Sequence, residues 1–175
     1  MLNDCIYIPN FIINNDFLFS YLKKNIDWCE DIKSRKTASF GLPYNYSNTF
    51  YLESNIPDIF VDFFSDLKCE IGFTPNNVLL NFYSNGASKM GYHSDNIDIL
   101  ENKTGVAIIS LGSERIIRFK NKLTNEIIDF ILEPGSLFYM NQNTQKKYVH
   151  SILKSNNDVS ERISITLRKI KIINK

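Results

Sequence analysis

Short β-branched and aromatic segments, separated by turn residues, fill most of the chain after residue 77 and constrain its fold more than any other feature. Such segments predict strands, and many short strands in one stretch of chain predict a barrel or jelly roll. Turns such as Glu133-Pro134-Gly135 mark their limits. The predicted strands are Val78–Tyr83, Val106–Leu111, Ile116–Phe119, Ile127–Leu132, Ser136–Met140 and Arg162–Lys171.

The first third of the chain predicts helices and loops instead. Residues 14–16 are Asn, Asn and Asp, which cap helices, so we predict a helix over residues 17–26. A second helix is predicted after Pro57, where apolar residues recur at helical spacing and Gly72 lies beyond the last of them. Residues 34–48 are rich in Ser, Asn and Tyr and predict a loop or a short hairpin. The expected fold is therefore two helices leading into a barrel.

Length and composition indicate one globular domain spanning residues 1–175, with 43% hydrophobic residues. The net charge of +1 provides no general attraction to nucleic acid, so local patches must carry any such binding. No apolar run approaches the roughly 18 residues that span a bilayer. Cys5, Cys29 and Cys69 are scattered, which is typical of a reducing compartment. We expect a cytoplasmic monomer without a membrane partner.

The chain has two histidines, His93 and His150. His93 and Asp95 are one residue apart, so in an extended segment their side chains point to the same face. His150 comes at the start of a later predicted strand, which a barrel can bring alongside the first. Two His and one carboxylate with open positions form the ligand set of non-haem Fe(II) oxygenases. A His-x-Asp pair by itself is a weak signal, because most such pairs bind no metal.

The last predicted strand alternates polar and apolar residues, so one face can pack on a core. The other face carries two guanidiniums, which grip carboxylates through a planar fork. The two arginine Cα atoms lie roughly 20 Å apart in an extended strand, too far for one small dicarboxylate to centre on both. We expect one to bind its far carboxylate and the other to support the metal end. An exposed edge strand is the alternative. The polar face comprises Arg162, Ser164, Thr166 and Arg168.

Asn81 and Tyr83 share a face of an earlier strand, where an amide and a phenol can donate hydrogen bonds to a carboxylate. Buried Asn and Tyr are otherwise ordinary in a barrel. In combination, the order Asn-x-Tyr, His-x-Asp, distant His and Arg-x5-Arg resembles the AlkB family of Fe(II)/2-oxoglutarate dioxygenases. The resemblance extends from about Ser34 to the end of the chain. It implies an α+β, mainly β fold, a double-stranded β-helix or jelly roll with N-terminal helices.

The resemblance also implies the cofactors and the site. Fe(II) would be bound by His93, Asp95 and His150, and O2 would react there with 2-oxoglutarate to leave succinate and CO2. Oxidation of an N-methyl group then releases formaldehyde. Arg162 would hold the far carboxylate. The implied 2-oxoglutarate site comprises Asn81, Tyr83, Arg162, Ser164, Thr166 and Arg168. Ser164 stands where the family usually has Asn, so a single hydroxyl replaces an amide.

Residues 36–41 and 44–47 resemble the nucleotide-recognition loop of the family. Tyr46 would stack on a flipped base, and Tyr44 would hydrogen-bond to it. Arg35 would contact phosphate, and Asn96 is a further substrate-binding candidate. A solvated basic loop and core tyrosines are the alternatives. Ile97 stands where nucleobase-acting relatives often carry an acid, which weakens the case for base recognition.

These inferences favour oxidative demethylation of alkylated nucleobases in DNA or RNA, with a role in DNA repair. The expected partner is a single-stranded nucleic acid or an alkylated nucleotide. One alternative is a hydroxylase of a small molecule or a protein side chain on the same fold. Another is a catalytically silent binding module, against which the complete triad argues. A zinc hydrolase could use the same three ligands, but it has no evident need for the arginine strand.

Overall fold

Two antiparallel sheets face each other in the computed structural model, which describes residues 2, 4–45, 50–155 and 159–172. The described strands are β1 (Cys5–Ile8), β2 (Lys36–Gly41), β3 (Asn77–Tyr83), β4 (Met90–His93), β5 (Gly105–Gly112), β6 (Arg115–Asn121), β7 (Ile127–Leu132), β8 (Leu137–Asn141), β9 (Tyr148–Ile152) and β10 (Arg162–Arg168). The described helices are α1 (Asn15–Asn25), α2 (Asp58–Val61), α3 (Phe64–Ile71) and α4 (Gln142–Lys147).

The major sheet has the order β1-β8-β5-β10-β3-β2, and the minor sheet has the order β4-β9-β6-β7. The chain passes repeatedly from one sheet to the other, so strands distant in sequence become neighbours. This arrangement is a jelly roll, or double-stranded β-helix, and it confirms the expected fold class. The two sheets leave a cleft between their inner faces, and the strands that border it position the site described below.

Each face of the major sheet covers its own apolar cluster. Its outer face packs on the helices, where Leu22, Phe60 and Leu67 are fully buried. Its inner face packs on the minor sheet around Phe119 and Phe138, whose ring centroids lie 5.7 Å apart. Because the major sheet is covered on both sides, every residue of β3 and β10 is buried, as is every residue of β5 before Gly112.

β10 shows how this layering separates the two kinds of side chain. It lies between β3 and β5, and all seven of its residues are buried. Ile163, Ile165 and Leu167 join the helix-side cluster. Alternation then directs the polar side chains toward the cleft. The alternative of an exposed edge strand is therefore wrong. β10 also ends at Arg168, earlier than expected, because the Asn76 side chain bonds both backbone groups of Ile170, at 2.6 and 2.8 Å.

Other elements differ from the sequence-based predictions. Lys36–Gly41 was expected to be loop or hairpin, but it forms β2 by pairing along β3, with Lys36 opposite Phe82. The predicted helix after Pro57 is divided into α2 and α3, and Phe63 at the break packs edge-on against Phe60. β1, β4 and α4 were not foreseen. None of the described helices is long and apolar enough to cross a membrane.

Candidate active site

The cluster of two histidines and an aspartate lies at one end of the cleft. His93 is the last residue of β4, and His150 lies opposite it on the neighbouring strand β9. Their ring centroids are 4.3 Å apart. Asp95 follows in the loop after β4, and one ligand atom from each of the three residues lies within 4.8 Å of the others. The structure thus brings together three side chains that could hold a metal ion.

Hydrogen bonding determines which imidazole nitrogen of His93 is available. Its Nδ1 lies 2.9 Å from the carbonyl oxygen of Gly91. Since a carbonyl only accepts, Nδ1 is the donor in this bond, which makes Nε2 the candidate metal-binding atom. His150 is buried, and burial together with the neighbouring His93 lowers its pKa to about 3. His150 is therefore neutral near pH 7, which is the form that binds metals.

Asp95 is an anion in a buried position. Burial alone would raise its pKa, but the Arg168 guanidinium and the two imidazoles outweigh that effect and lower the pKa to about 2. Arg168 donates two hydrogen bonds to Oδ1, the Nε bond at 3.1 Å. The Tyr44 hydroxyl donates a third at 3.3 Å. The other oxygen, Oδ2, lies 3.6 Å from His150 Nε2.

Tyr44 and Arg168 form a layer behind this carboxylate. The Arg168 guanidinium lies over the Tyr44 ring, 3.8 Å from its centroid, and also donates to Asn77 Oδ1 at 3.3 Å. Burial and the charge of Asp95 raise the pKa of Tyr44 to about 12, so its hydroxyl stays protonated. That hydroxyl also accepts a hydrogen bond from the Asn96 backbone N–H at 2.9 Å. The guanidinium is thus engaged by protein groups on several sides.

Arg162 occupies the other end of the cleft and has a different environment. It is fully buried, and its Nη2 donates to Ser110 Oγ at 2.9 Å. The guanidinium carbon lies 5.1 Å from the centre of the Tyr83 ring. Nε and Nη1 have no hydrogen-bond partner among the described residues. Burial lowers the pKa of Arg162 to about 10, so it remains a cation near pH 7 with two donors unused.

One cavity connects the two ends. Strand register places Tyr83 beside Arg162 and Asn81 beside Ser164, so the residues of the Asn-x-Tyr motif and of β10 share its wall. Apolar side chains fill the remaining wall and limit access of water. The cavity is lined by Leu79, Asn81, Tyr83, Met90, His93, Asp95, Ile108, Ile117, His150, Ile152, Arg162, Ser164, Thr166 and Arg168.

A second cavity opens beside the triad and shares His93, Asp95 and Arg168 with the first. Tyr44, Tyr51 and Arg35 line it as well. Two of these were substrate-binding candidates, and the structure gives each a partner inside the protein. Arg35 Nε donates to Asn81 Oδ1 at 2.7 Å, and Tyr44 contacts Asp95. The Arg35 side chain lines the second cavity and bonds to Asn81, which lines both cavities.

Asn96, another substrate-binding candidate, lies away from both cavities. Asn96 is exposed, and its side chain accepts a hydrogen bond from the Asp98 backbone at 3.0 Å instead of lining either cavity. Tyr46 lies outside the described residues. Ile97 packs against the cluster between the sheets.

Sequence reasoning missed several polar residues of the site. Ser110 lies opposite Ser164 on β5, and Asn77 begins β3. Tyr51 donates a hydrogen bond to Thr37 Oγ1 at 2.9 Å in the second cavity. Gln145 accepts one from the backbone of Asp95. None belongs to a recognisable motif, although alternation along β5 would have placed Ser110 on the face that points into the cleft.

A jelly roll that joins a His-Asp-His cluster to a buried cationic pocket defines a non-haem oxygenase domain. The model of the 2OG-Fe(II) oxygenase superfamily matches residues 20–168, and the chain therefore belongs to that family. This result confirms the predicted class of dioxygenase and its cofactors, Fe(II), 2-oxoglutarate and O2.

Similar proteins support the AlkB resemblance. The chain is 31% identical to the DNA oxidative demethylase ALKBH2 of Mus musculus over 78% of this chain and 62% of that protein. It is 27% identical to the alpha-ketoglutarate-dependent dioxygenase alkB homolog 3 of Rattus norvegicus, over 95% and 63%. An uncharacterised protein of Acanthamoeba polyphaga mimivirus is 38% identical, over 57% and 52%. The chain thus spans between half and two thirds of these relatives.

A solved structure, that of OsALKBH1, superimposes with a TM-score of 0.73 at 15% identity. It covers 97% of this chain and 99% of that one. At this level of identity the likeness concerns the fold.

Proposed function

We propose that the protein is an oxidative demethylase of alkylated nucleobases, with Fe(II) bound by His93, Asp95 and His150. The observation that carries the cosubstrate part of this proposal is the buried Arg162 guanidinium, whose Nε and Nη1 are unpaired in the same cavity as the triad. The choice of nucleobase substrate rests on similarity to a DNA oxidative demethylase. A buried cation with unused donors is costly unless an anion completes it. The far carboxylate of 2-oxoglutarate has the required charge and planar geometry.

The other cavity residues suit the rest of the cosubstrate. Asn81, Tyr83, Ser164 and Thr166 offer amide and hydroxyl groups along the wall between Arg162 and the triad. Iron, when bound with 2-oxoglutarate and O2, supplies the oxidation of a substrate C–H bond, with succinate and CO2 as products. Arg168 holds Asp95 and, in this proposal, supports the cosubstrate only indirectly.

The protein itself contributes ionisation states and orientation. Asp95 stays anionic because Arg168 compensates its burial, and His150 stays neutral because it is buried. Both are therefore in their metal-binding forms at neutral pH without any proton having to leave. The apolar side chains of the cavity exclude water from the reacting groups.

The second cavity is the proposed substrate entrance because two of the three triad residues, His93 and Asp95, line it. Tyr44 and Tyr51 form aromatic walls there. On the resemblance of residues 44–47 to the family's nucleotide-recognition loop, we propose that Tyr46 stacks on the alkylated base. Similarity to a DNA oxidative demethylase supports a nucleic-acid substrate. A single strand is favoured, because a net charge of +1 leaves few phosphate contacts to offset the few kcal/mol needed to unpair a duplex base.

The proposal is tested by succinate release with methylated single strands, methylated duplexes and methylated nucleosides. We expect the single strand to give the highest turnover, with a shallow dependence on salt. Tyr46→Ala should lower oligonucleotide turnover about tenfold, consistent with 1–3 kcal/mol of stacking, while Tyr46→Phe stays close to wild type. Preference for duplex with a steep salt slope contradicts the single-strand assignment.

A hydroxylase of a small molecule or a protein side chain is the second candidate. It is favoured by Ile97, which packs into the core where an acid would serve base recognition. Turnover that no oligonucleotide stimulates, but a small molecule or peptide does, would establish this candidate instead. Absence of any metal-dependent 2-oxoglutarate turnover would indicate a binding module. We also propose that residues 1–175 act as one monomeric cytoplasmic domain, which sedimentation and cell fractionation test.

A further inference from the structure

Gln145 connects the two chain segments that carry the metal-binding triad. It lies on α4, the short helix directly before His150 in sequence, and is 2% exposed. Its Oε1 accepts a hydrogen bond from the backbone N–H of Asp95 at 2.9 Å, across 50 residues of sequence. Its Nε2 donates to Met140 Sδ at 3.5 Å. Both ends of the buried amide are therefore engaged.

The helix that carries Gln145 is itself held at both ends. The Asn141 side chain caps its start by accepting from the backbone N–H groups of Asn143 and Thr144, at 2.9 and 3.1 Å. At its end, Lys122 Nζ donates to the backbone carbonyl of Gln145 at 2.7 Å. These contacts fix the position from which the amide reaches the loop.

A neutral amide suits this position. Asp95 lies in a loop beyond the end of β4, so no strand partner takes its N–H. A buried N–H without a partner is unfavourable, and Gln145 satisfies it without adding a charge beside the carboxylate. The loop is also tied to the same region by Ser94 Oγ, which donates to the Tyr148 carbonyl at 2.9 Å.

We propose that Gln145 is a positioning residue that holds Asp95 and His150 at metal-binding distance before the metal arrives. This inference rests on the proposed iron site. Arg168 orients the Asp95 carboxylate, whereas Gln145 fixes the backbone from which that carboxylate extends. Residues of this kind influence metal affinity without touching the metal, typically by tenfold or more.

The test compares Gln145→Met with Gln142→Met in the full chain. Methionine keeps the length and loses the acceptor. Gln142 lies on the same helix but bonds to the Glu101 carbonyl, away from the triad. We expect Gln145→Met to weaken Mn(II) binding about tenfold and to speed exchange of the Asp95 amide hydrogen in the metal-free protein. Gln142→Met should change neither quantity.

Unchanged Mn(II) affinity and unchanged Asp95 protection in a folded Gln145→Met would overturn the proposal, as would equal losses in Gln142→Met. If Gln145→Met does not fold, the rates of amide hydrogen exchange in the wild-type protein test the proposal instead. The Asp95 amide should then exchange more slowly than the Ile97 amide of the same loop, and equal rates would contradict the assignment. A failed oligonucleotide assay with intact Mn(II) binding would refute the proposed substrate but leave this inference standing.

Discussion

The two arginines of β10 lie on one face of one strand, yet their surroundings are opposite. Arg168 is paired with a buried carboxylate, with an amide oxygen of Asn77 and with the face of Tyr44. Arg162 has one hydroxyl partner and an aromatic ring, while two of its donors find nothing among the described residues. One end of the cleft is complete within the protein, and the other end keeps two unpaired donors that we propose a ligand completes.

This difference separates two ways of building a site. A buried ion pair costs desolvation energy but recovers it when its geometry and hydrogen bonds are good. The Asp95–Arg168 end is therefore organised before any metal binds. A buried cation without an anion recovers little, so we expect Arg162 to lower the stability of the ligand-free protein. Binding of a carboxylate there would relieve that cost and couple 2-oxoglutarate to stability.

The largest expected effect comes from removing Asp95, the buried partner of Arg168. Asp95→Ala removes the partner of a buried guanidinium, and we expect a loss of about 3–5 kcal/mol in unfolding free energy together with all turnover. His93→Ala should also abolish turnover, but His93 is only half-buried and its hydrogen bond joins it to a nearby carbonyl, so stability should change by about 1 kcal/mol. Urea unfolding and succinate release measure both. Equal stability losses in Asp95→Ala and His93→Ala would show that the Asp95–Arg168 pair does not contribute specially to stability.

At the Arg162 end of the cleft, we expect a change of intermediate size and opposite sign in the unfolding free energy. Arg162→Met replaces an incompletely paired cation by an apolar side chain of similar length. We expect the ligand-free protein to gain about 1–2 kcal/mol, since an apolar side chain avoids the cost of burying a charge whose donors are not all paired. Binding of 2-oxoglutarate in the presence of Mn(II) should be lost, as measured by calorimetry. Arg162→Lys keeps the charge but loses the planar guanidinium that can bind a carboxylate through two hydrogen bonds. We expect it to raise the concentration of 2-oxoglutarate needed for half-maximal turnover. Destabilisation by 3 kcal/mol in Arg162→Met would show that Arg162 is structural.

The sequence predicted both arginines because strand alternation is a local property. Their separation in an extended strand also showed that one small dicarboxylate could not bind both. It could not show that Arg168 is engaged by Tyr44 and Asn77, since those contacts come from distant strands and loops. The pattern His-x-Asp likewise indicated the ligands, while their distance depends on β4 lying beside β9.

Elements without a periodic pattern were the ones missed. The segment that forms β2 has the composition of a loop, and its strand conformation is imposed by hydrogen bonds along β3. Gln145 is another such case, because its function depends on a helix packing against a loop 50 residues earlier in sequence. Composition and spacing carry no information about hydrogen bonds between segments that are distant in sequence. The sheet topology determines which of these segments lie side by side.

The last expected effect is a pH dependence of the unfolding free energy, which arises from the triad at the Asp95–Arg168 end of the cleft. In the folded, metal-free protein, burial and His93 lower the pKa of His150 from 6.5 to about 3. Its stabilising contribution is therefore present above pH 6.5 and is lost as the pH falls toward 3, because only the unfolded chain takes up the proton. The contribution of Asp95 to stability is also lost as the pH falls, but at lower pH, since folding lowers its pKa from 3.8 to about 2.

Between pH 6 and pH 4.5 the difference between wild type and a His150 variant therefore reports mainly on His150. We expect wild type to lose up to about 1.4 kcal/mol per pH unit more than His150→Gln, which cannot take up that proton. Urea unfolding at three pH values, in the presence of a chelator, measures the difference. Parallel curves would show that His150 is accessible to protons in the folded protein.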